Sequence, residues 1–196
     1  MYRPRIEAPG GFYHVGTRGN NQDAVFLTET DRLAFLALLG RTARRYGWTV
    51  YAYCLMTNHY HLVLQLLEGG LSRGMCELNG GYALQFNQSH GRSNHVFGRR
   101  FWDCLIETEA HLLETVRYVV NNPVRAELVD DAAAWRWSSY RATMGLEHAP
   151  PFLAAGGLLE LFDARPDVAR AAYAEHVAEG RVRRQPPYAD RNEAAA

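Results

Sequence analysis

Residues 57–66, TNHYHLVLQL, set two histidines one residue apart within an apolar run. If the run is a strand, alternate side chains share a face: His59, His61, Val63 and Gln65 lie on one side, Tyr60, Leu62, Leu64 and Leu66 on the other. The leucine side is the natural seat for covering helices, which leaves the histidines on the opposite, open face. Thr57-Asn58 reads as a short turn after WTVYAYCLM (48–56), aromatic and apolar enough for the preceding strand.

The segments on either side complete a pattern. GFYHVGTRGN alternates Phe12, His14, Gly16 and Arg18 with Tyr13, Val15 and Thr17, then breaks at Gly19-Asn20-Asn21. Glu29 to Tyr46 reads as a helix with Leu33, Phe35, Leu36, Ala37, Leu38 and Leu39 on one side and Gly47 as its stop. Leu71 to about Ser89 reads as a second helix, weakened by Gly80-Gly81, and Phe101 to Glu107 as a fourth strand. The order β-α-β-β-α-β is the split-βαβ, ferredoxin-like arrangement of an α+β fold. A third helix, Glu109 to Asn121, follows at once and is stopped by Pro123. Residues 8–145 form the expected domain, and 146–196 a C-terminal extension, partly helical with a disordered tail from RVRRQ onward.

Bulk properties narrow the class. The chain has 196 residues, 47% hydrophobic and 21% charged, which suits one ordinary core. No apolar run reaches membrane-spanning length, and no apolar stretch follows the first basic residues, so neither a membrane nor a secretory signal is expected. Cys54, Cys76 and Cys104 are too few and too scattered for a disulfide framework or a CxxC zinc site, which points to the cytoplasm. Net charge is zero, yet every one of the 21 basic residues is arginine, the side chain suited to forked phosphate contacts.

Two imidazoles at strand positions i and i+2 are about 6 to 7 Å apart at Cα, close enough to converge on one divalent ion. A bare His-x-His is short and common, and more often describes two half-exposed strand histidines with no role. HLLETVRYVVNNPVRAELV (111–129) adds a second feature. Leu112, Leu113, Val116, Val119 and Val120 form the apolar stripe of a helix, while Tyr118 lies about 200° and Asn122 about 240° from Val116. Tyr118 thus points away from the stripe, with Asn122 one turn on beside it. A phenol oxygen can attack phosphorus and store the bond as an ester, and Asn122 could add a third ligand to an ion held by His59 and His61.

RGNNQDAVF (18–26), YCLMTNHYHLVLQ (53–65), GRRFWDCLIE (98–107) and RYVVNNPVRAELV (117–129) together resemble the single-tyrosine HUH transposases, nearest the REP-associated tyrosine branch with its IS-200-like domain. The resemblance covers roughly residues 8–145. It implies a ferredoxin-like enzyme that nicks and rejoins single-stranded DNA beside a hairpin. Tyr118 matches the nucleophile that becomes joined to a 5′ phosphate; His59, His61 and Asn122 match the ligands of Mg²⁺ or Mn²⁺. The chain departs from the family at Thr57 (usually Pro), Tyr60 (usually aliphatic), Asn121 (usually Leu) and Glu127 (usually Gly).

Arg18, Arg99, Arg100, Arg117 and Arg125 are candidates for phosphate contacts, Tyr13, Phe101 and Trp102 for base stacking, and Arg181, Arg183 and Arg184 for a looser grip. The chain is expected to act as a monomer or homodimer. Two competing readings are a domesticated hairpin-DNA binder with little or no cleavage, and a zinc hydrolase, for which no third His or carboxylate is in a matched strand position.

Overall fold

The computed structural model describes residues 7–180. Four strands, β1 (Phe12–Arg18), β2 (Trp48–Leu55), β3 (His59–Leu66) and β4 (Trp102–Ile106), form one sheet in the order β2-β3-β1-β4. Every neighbouring pair is antiparallel. Helix α1 (Glu29–Tyr46) joins β1 to β2, and α2 (Leu71–His90) joins β3 to β4; the two pack on each other. This is the expected split-βαβ order.

Local chemistry explains the helix ends. The Thr28 hydroxyl accepts the Asp31 amide while the Asp31 carboxylate accepts the amides of Leu27 (2.9 Å) and Thr28 (2.8 Å). That reciprocal cap satisfies orphan donors at the start of α1 and contributes about 1 kcal/mol. Gly47, with a φ of 62°, ends the helix in the left-handed conformation that glycine tolerates. The Gly80-Gly81 pair does not break α2. A Cβ on Gly81 would come within 3.2 Å of Leu38, so the missing side chain lets α1 and α2 approach closely. One helical expectation needs correction: Leu33 is exposed, and Phe35, Leu38, Leu39 and Ala43 form the buried face of α1. Leu33 is two residues from Phe35, about 200° round the helix, and so cannot share that face.

The sheet's second face also differs from expectation. Most of it is covered. Helix α3 (Glu109–Val120) packs across β2, β3 and β4, continuing through Asn121 into the single turn α4 (Asn122–Arg125), where Pro123 occupies a first-turn position. After α5 (Tyr140–Thr143), helix α6 (Ala155–Leu159) packs on β2 and α7 (Pro166–Glu179) on α3. Ala52, Cys54, Met56 and Val63 on the sheet meet Val116, Val119, Val120, Tyr173 and Val177 in this second core. Passing chain also closes the outer edge of β2: the Leu55 amide donates to Trp137 (2.9 Å), the Ser139 amide to Tyr53 (2.9 Å) and the Ala154 amide to Val50 (2.8 Å). An edge strand so paired presents no template for another chain. The expected tail from Arg181 onward lies outside the described residues. Among those residues, no helix is long and apolar enough to cross a membrane, and all three cysteines are free.

Glu127 has a φ of 56° just after α4. A residue with a Cβ carries a cost of roughly 1–2 kcal/mol there that glycine avoids. Glu127→Gly is therefore expected to stabilise the protein by about 1 kcal/mol, raising the thermal midpoint by roughly 2–4 °C. An unchanged or lower midpoint would show that contacts of the Glu127 side chain outweigh the backbone strain.

Candidate metal and DNA site

Register brings the site together. In the β1–β3 pairing, Gly16 lies opposite His61, Arg18 opposite His59 and His14 opposite Val63. Opposed residues share a face, so His14, Arg18, His59 and His61 crowd onto one side of two adjacent strands. His14 carries no local signal of a role; its place in the β1 alternation becomes informative once β1 is known to neighbour β3. Gly16 is also required by packing. A Cβ there would fall 2.5 Å from the Trp102 ring and 2.7 Å from the Tyr60 carbonyl. The absent side chain lets Trp102 lie edge-on to His14, with ring centres 4.6 Å apart, and 5.6 Å from His61. Tyr60 points to the helical side, fully buried, where its hydroxyl donates to Asn79 Oδ1 at 2.5 Å. Its bulk therefore does not enter the histidine face.

A chain of close polar contacts links these groups. Asn58 Nδ2 donates to the Gln22 carbonyl at 3.1 Å, which turns Asn58 Oδ1 toward His59 Nδ1 at 2.7 Å. His61 Nδ1 is 3.1 Å from His14 Nε2. Asn122, carried on α4, reaches both metal-ligand candidates: Oδ1 lies 3.4 Å from His59 Nε2, and Nδ2 lies 3.2 Å from His61 Nε2.

Tyr118 is 8% exposed, its ring 5.8 Å from that of His14 and 5.7 Å from that of His61. The expectation that it points away from the apolar stripe is correct for the helix, but that direction is not outward. Helix α3 is buried on two sides. Tyr118 and Asn122 face the sheet's histidines, while on another side His176 donates to the Leu113 carbonyl (3.1 Å) and Asn121 Nδ2 to the Val177 carbonyl (2.7 Å). Asn121, unusual by family pattern, is thus a buried tie between α3 and α7.

The predicted arginines divide. Arg18, Arg99 and Arg100 line a cleft of about 670 Å³ together with His59, His61 and Trp102. Backbone pairing sets this up: the Gly98 amide donates to Arg18 (3.2 Å) and the Asn20 amide to Val96 (2.9 Å), drawing 98–100 alongside the end of β1. Arg125 lies over the Tyr118 ring, 5.0 Å from its centre. Arg117 is not brought to the cleft; it pairs with Glu114 and, at 3.7 Å, with Glu179. Of the three stacking candidates only Trp102 lines the cleft, since Tyr13 and Phe101 are buried in the core on the helical side.

The donor set fits a divalent cation. Burial, with the Arg18 charge adding to it, pushes His59 down to about 4. Burial also lowers His61 well below the usual imidazole range, and lowers His14 to about 3, helped by nearby His111. All three rings are neutral at pH 7. The short contact to Asn58 puts the single His59 proton on Nδ1, so the lone pairs of His59 Nε2 and Asn122 Oδ1 face each other across 3.4 Å. Both atoms carry lone pairs that one divalent cation could share. No group of three His, Cys, Asp or Glu among the described residues could hold a metal, so an ion bound by the two histidines would need an amide such as that of Asn122 as its third ligand. Nitrogen and amide-oxygen donors suit Mn²⁺ and tolerate Mg²⁺ completed by water.

These depressed values fix a pH dependence. Unfolded histidines titrate near 6.5 and bind protons that the folded state refuses, so the stabilising contribution is present above that value and is lost as pH falls. The thermal midpoint of metal-free protein is expected to fall between pH 7 and pH 5. A flat profile would contradict burial of neutral imidazoles.

The family profile described as "Transposase IS200 like" matches residues 10–122. A Haemophilus influenzae protein bearing the name REP-associated tyrosine transposase is 25% identical over 152 residues, spanning 72% of this chain and 86% of that one. The solved structure of a REP-associated tyrosine transposase bound to a REP hairpin superposes with a TM-score of 0.63 at 19% identity, covering 79% of this chain and 91% of that chain. The chain belongs to the IS200-like transposase family.

Proposed function

We propose that this transposase is a metal-dependent nicking and joining enzyme of the HUH class for single-stranded DNA beside hairpins, of the REP-associated tyrosine type. The observation that carries the reading is the reach of Asn122. One turn beyond Tyr118, its amide lies within 3.4 Å of both strand histidines, tying the nucleophile's helix to the ligand pair. The hairpin substrate is inferred from the relative solved on a REP hairpin.

His59, His61 and Asn122 would hold Mg²⁺ or Mn²⁺, which when bound polarises a phosphoryl oxygen. The Tyr118 hydroxyl oxygen attacks phosphorus and forms the O–P bond as the O3′–P bond breaks. The phenol gives up its proton, and the leaving oxygen gains one to become a free 3′ hydroxyl. A later 3′ hydroxyl reverses the exchange, so no nucleotide cofactor is consumed. The Arg125 cation over the Tyr118 ring stabilises negative charge developing on the phenol oxygen. Arg18, Arg99 and Arg100 hold backbone phosphates, and Trp102 offers a stacking surface at the cleft.

One observation favours the second reading, a hairpin binder that cleaves poorly: Tyr118 is 8% exposed and is not part of the cleft lining. A labelled hairpin oligonucleotide with Mn²⁺ separates the two. The expected result is a covalent adduct on a denaturing gel, lost in Tyr118→Phe. Tight binding with no adduct would establish the binder, and an undiminished adduct in the variant would remove Tyr118 as nucleophile. Arg99→Ala and Arg100→Ala are each expected to weaken binding evenly across sequences. Each should also flatten the log–log salt slope by about 0.7 for every single-strand phosphate it no longer neutralises. An unchanged salt slope would place the DNA elsewhere.

A further inference from the structure

We propose that His14 and Asn58 are positioning residues that hold His61 and His59, respectively, in the Nδ1–H tautomer, so that both Nε2 lone pairs face the Asn122 amide. The inference rests on the metal reading above and adds two residues to it, neither of which would touch the ion.

Counting protons orders both rings. A neutral imidazole has one N–H, and in water it favours Nε2. His61 Nε2 lies 3.2 Å from Asn122 Nδ2, an amide nitrogen that can only donate, so His61 Nε2 must accept. The His61 proton is then on Nδ1 and is donated to His14 Nε2 at 3.1 Å, which leaves the His14 proton on its own Nδ1. For His59 the ordering comes from Asn58. Its Nδ2 is committed to the Gln22 carbonyl at 3.1 Å, and its backbone carbonyl accepts the Gly19 amide at 2.7 Å, so its Oδ1 is fixed as the acceptor of the His59 Nδ1 proton at 2.7 Å.

The two devices are built differently. Asn58 is a half-buried turn residue anchored to the 19–22 loop, whereas His14 is 1% exposed on β1, its ring beside those of His61 and Trp102. Trp102 stands edge-on against His14 at 4.6 Å, a position that Gly16 leaves vacant. Without the Asn58 acceptor, His59 would carry its proton on Nε2, facing Asn122, which blocks that nitrogen as a ligand; without the His14 acceptor, the Nε2–H form of His61 that water favours is opposed by the Asn122 Nδ2 contact alone. Groups that fix the tautomer of a ligating histidine typically change metal affinity by about 10–100-fold when removed.

The direct test uses metal-free protein labelled with ¹⁵N, in which long-range ¹H–¹⁵N correlations report each imidazole's tautomer. The wild type is expected to show Nδ1–H at both His59 and His61. An Nε2–H pattern at either would overturn the proposal for that residue, whatever the variants do. His14→Phe should return His61 alone toward Nε2–H, and Asn58→Ala should do so for His59 alone. Mn²⁺ affinity, titrated by electron paramagnetic resonance, should fall about 10–100-fold in both variants. It should recover largely in His14→Gln and Asn58→Asp, which restore an acceptor. Equal losses in the acceptor-bearing and acceptor-free variants would reduce both residues to a packing role and contradict the proposal. Wild-type protein with Nδ1–H at both histidines but no Mn²⁺ binding would instead refute the metal reading alone.

Discussion

The antiparallel pairing of β1 with β3 governs every other feature of the site. It sets Gly16 across from His61 and Arg18 across from His59, and it places His14 diagonally behind His61. A slip of one residue would turn the β1 set to the helical side, separating Arg18 and His14 from the histidine pair and driving a side chain into the Trp102 position. The leucines of β3 make such a slip costly, since Leu62, Leu64 and Leu66 are fully buried against α1 and α2. The same apolar alternation that secures the core therefore fixes the polar geometry on the reverse face.

Much of this is legible in the sequence. Strand and helix order follows from alternation and from breaks such as Gly47 and Gly19-Asn20-Asn21, and the histidine face follows from period two alone. What one strand cannot reveal is its neighbour. His14 becomes part of the site only through register, as a long-range pairing that no local pattern encodes. Periodicity likewise gives the direction of Tyr118 but not its surroundings, because α3 is buried on a second side by α7, some fifty residues further on in the chain by the Asn121–Val177 bond. Arg117 leaves the expected phosphate-binding set for the same reason. Adjacent to Tyr118 in sequence, it points about 100° away on the helix and meets Glu179 of α7 instead.

Three of the four departures from family pattern have separate physical accounts. Tyr60 replaces an aliphatic residue on the helical face, and Asn79 takes its hydroxyl proton, so the histidine face is unaffected. Asn121 exchanges apolar packing for a bond to α7, with its own Oδ1 left buried and without a hydrogen-bond partner. Glu127 holds the left-handed backbone that a glycine would adopt without strain. None of the three displaces His59, His61, Tyr118 or Asn122. The sheet carries two of the proposed ligands and the helical segment that follows it the third together with the phenol, so the relation between sheet and α3 would control whether the parts act together.

If one divalent ion joins the sheet to the tyrosine helix, anomalous diffraction from crystals soaked in Mn²⁺ should reveal it. A single strong peak is expected, bounded by Nε2 of His59, Nε2 of His61 and Oδ1 of Asn122. A peak held by other side chains, or no peak at concentrations that support DNA cleavage, would contradict that junction.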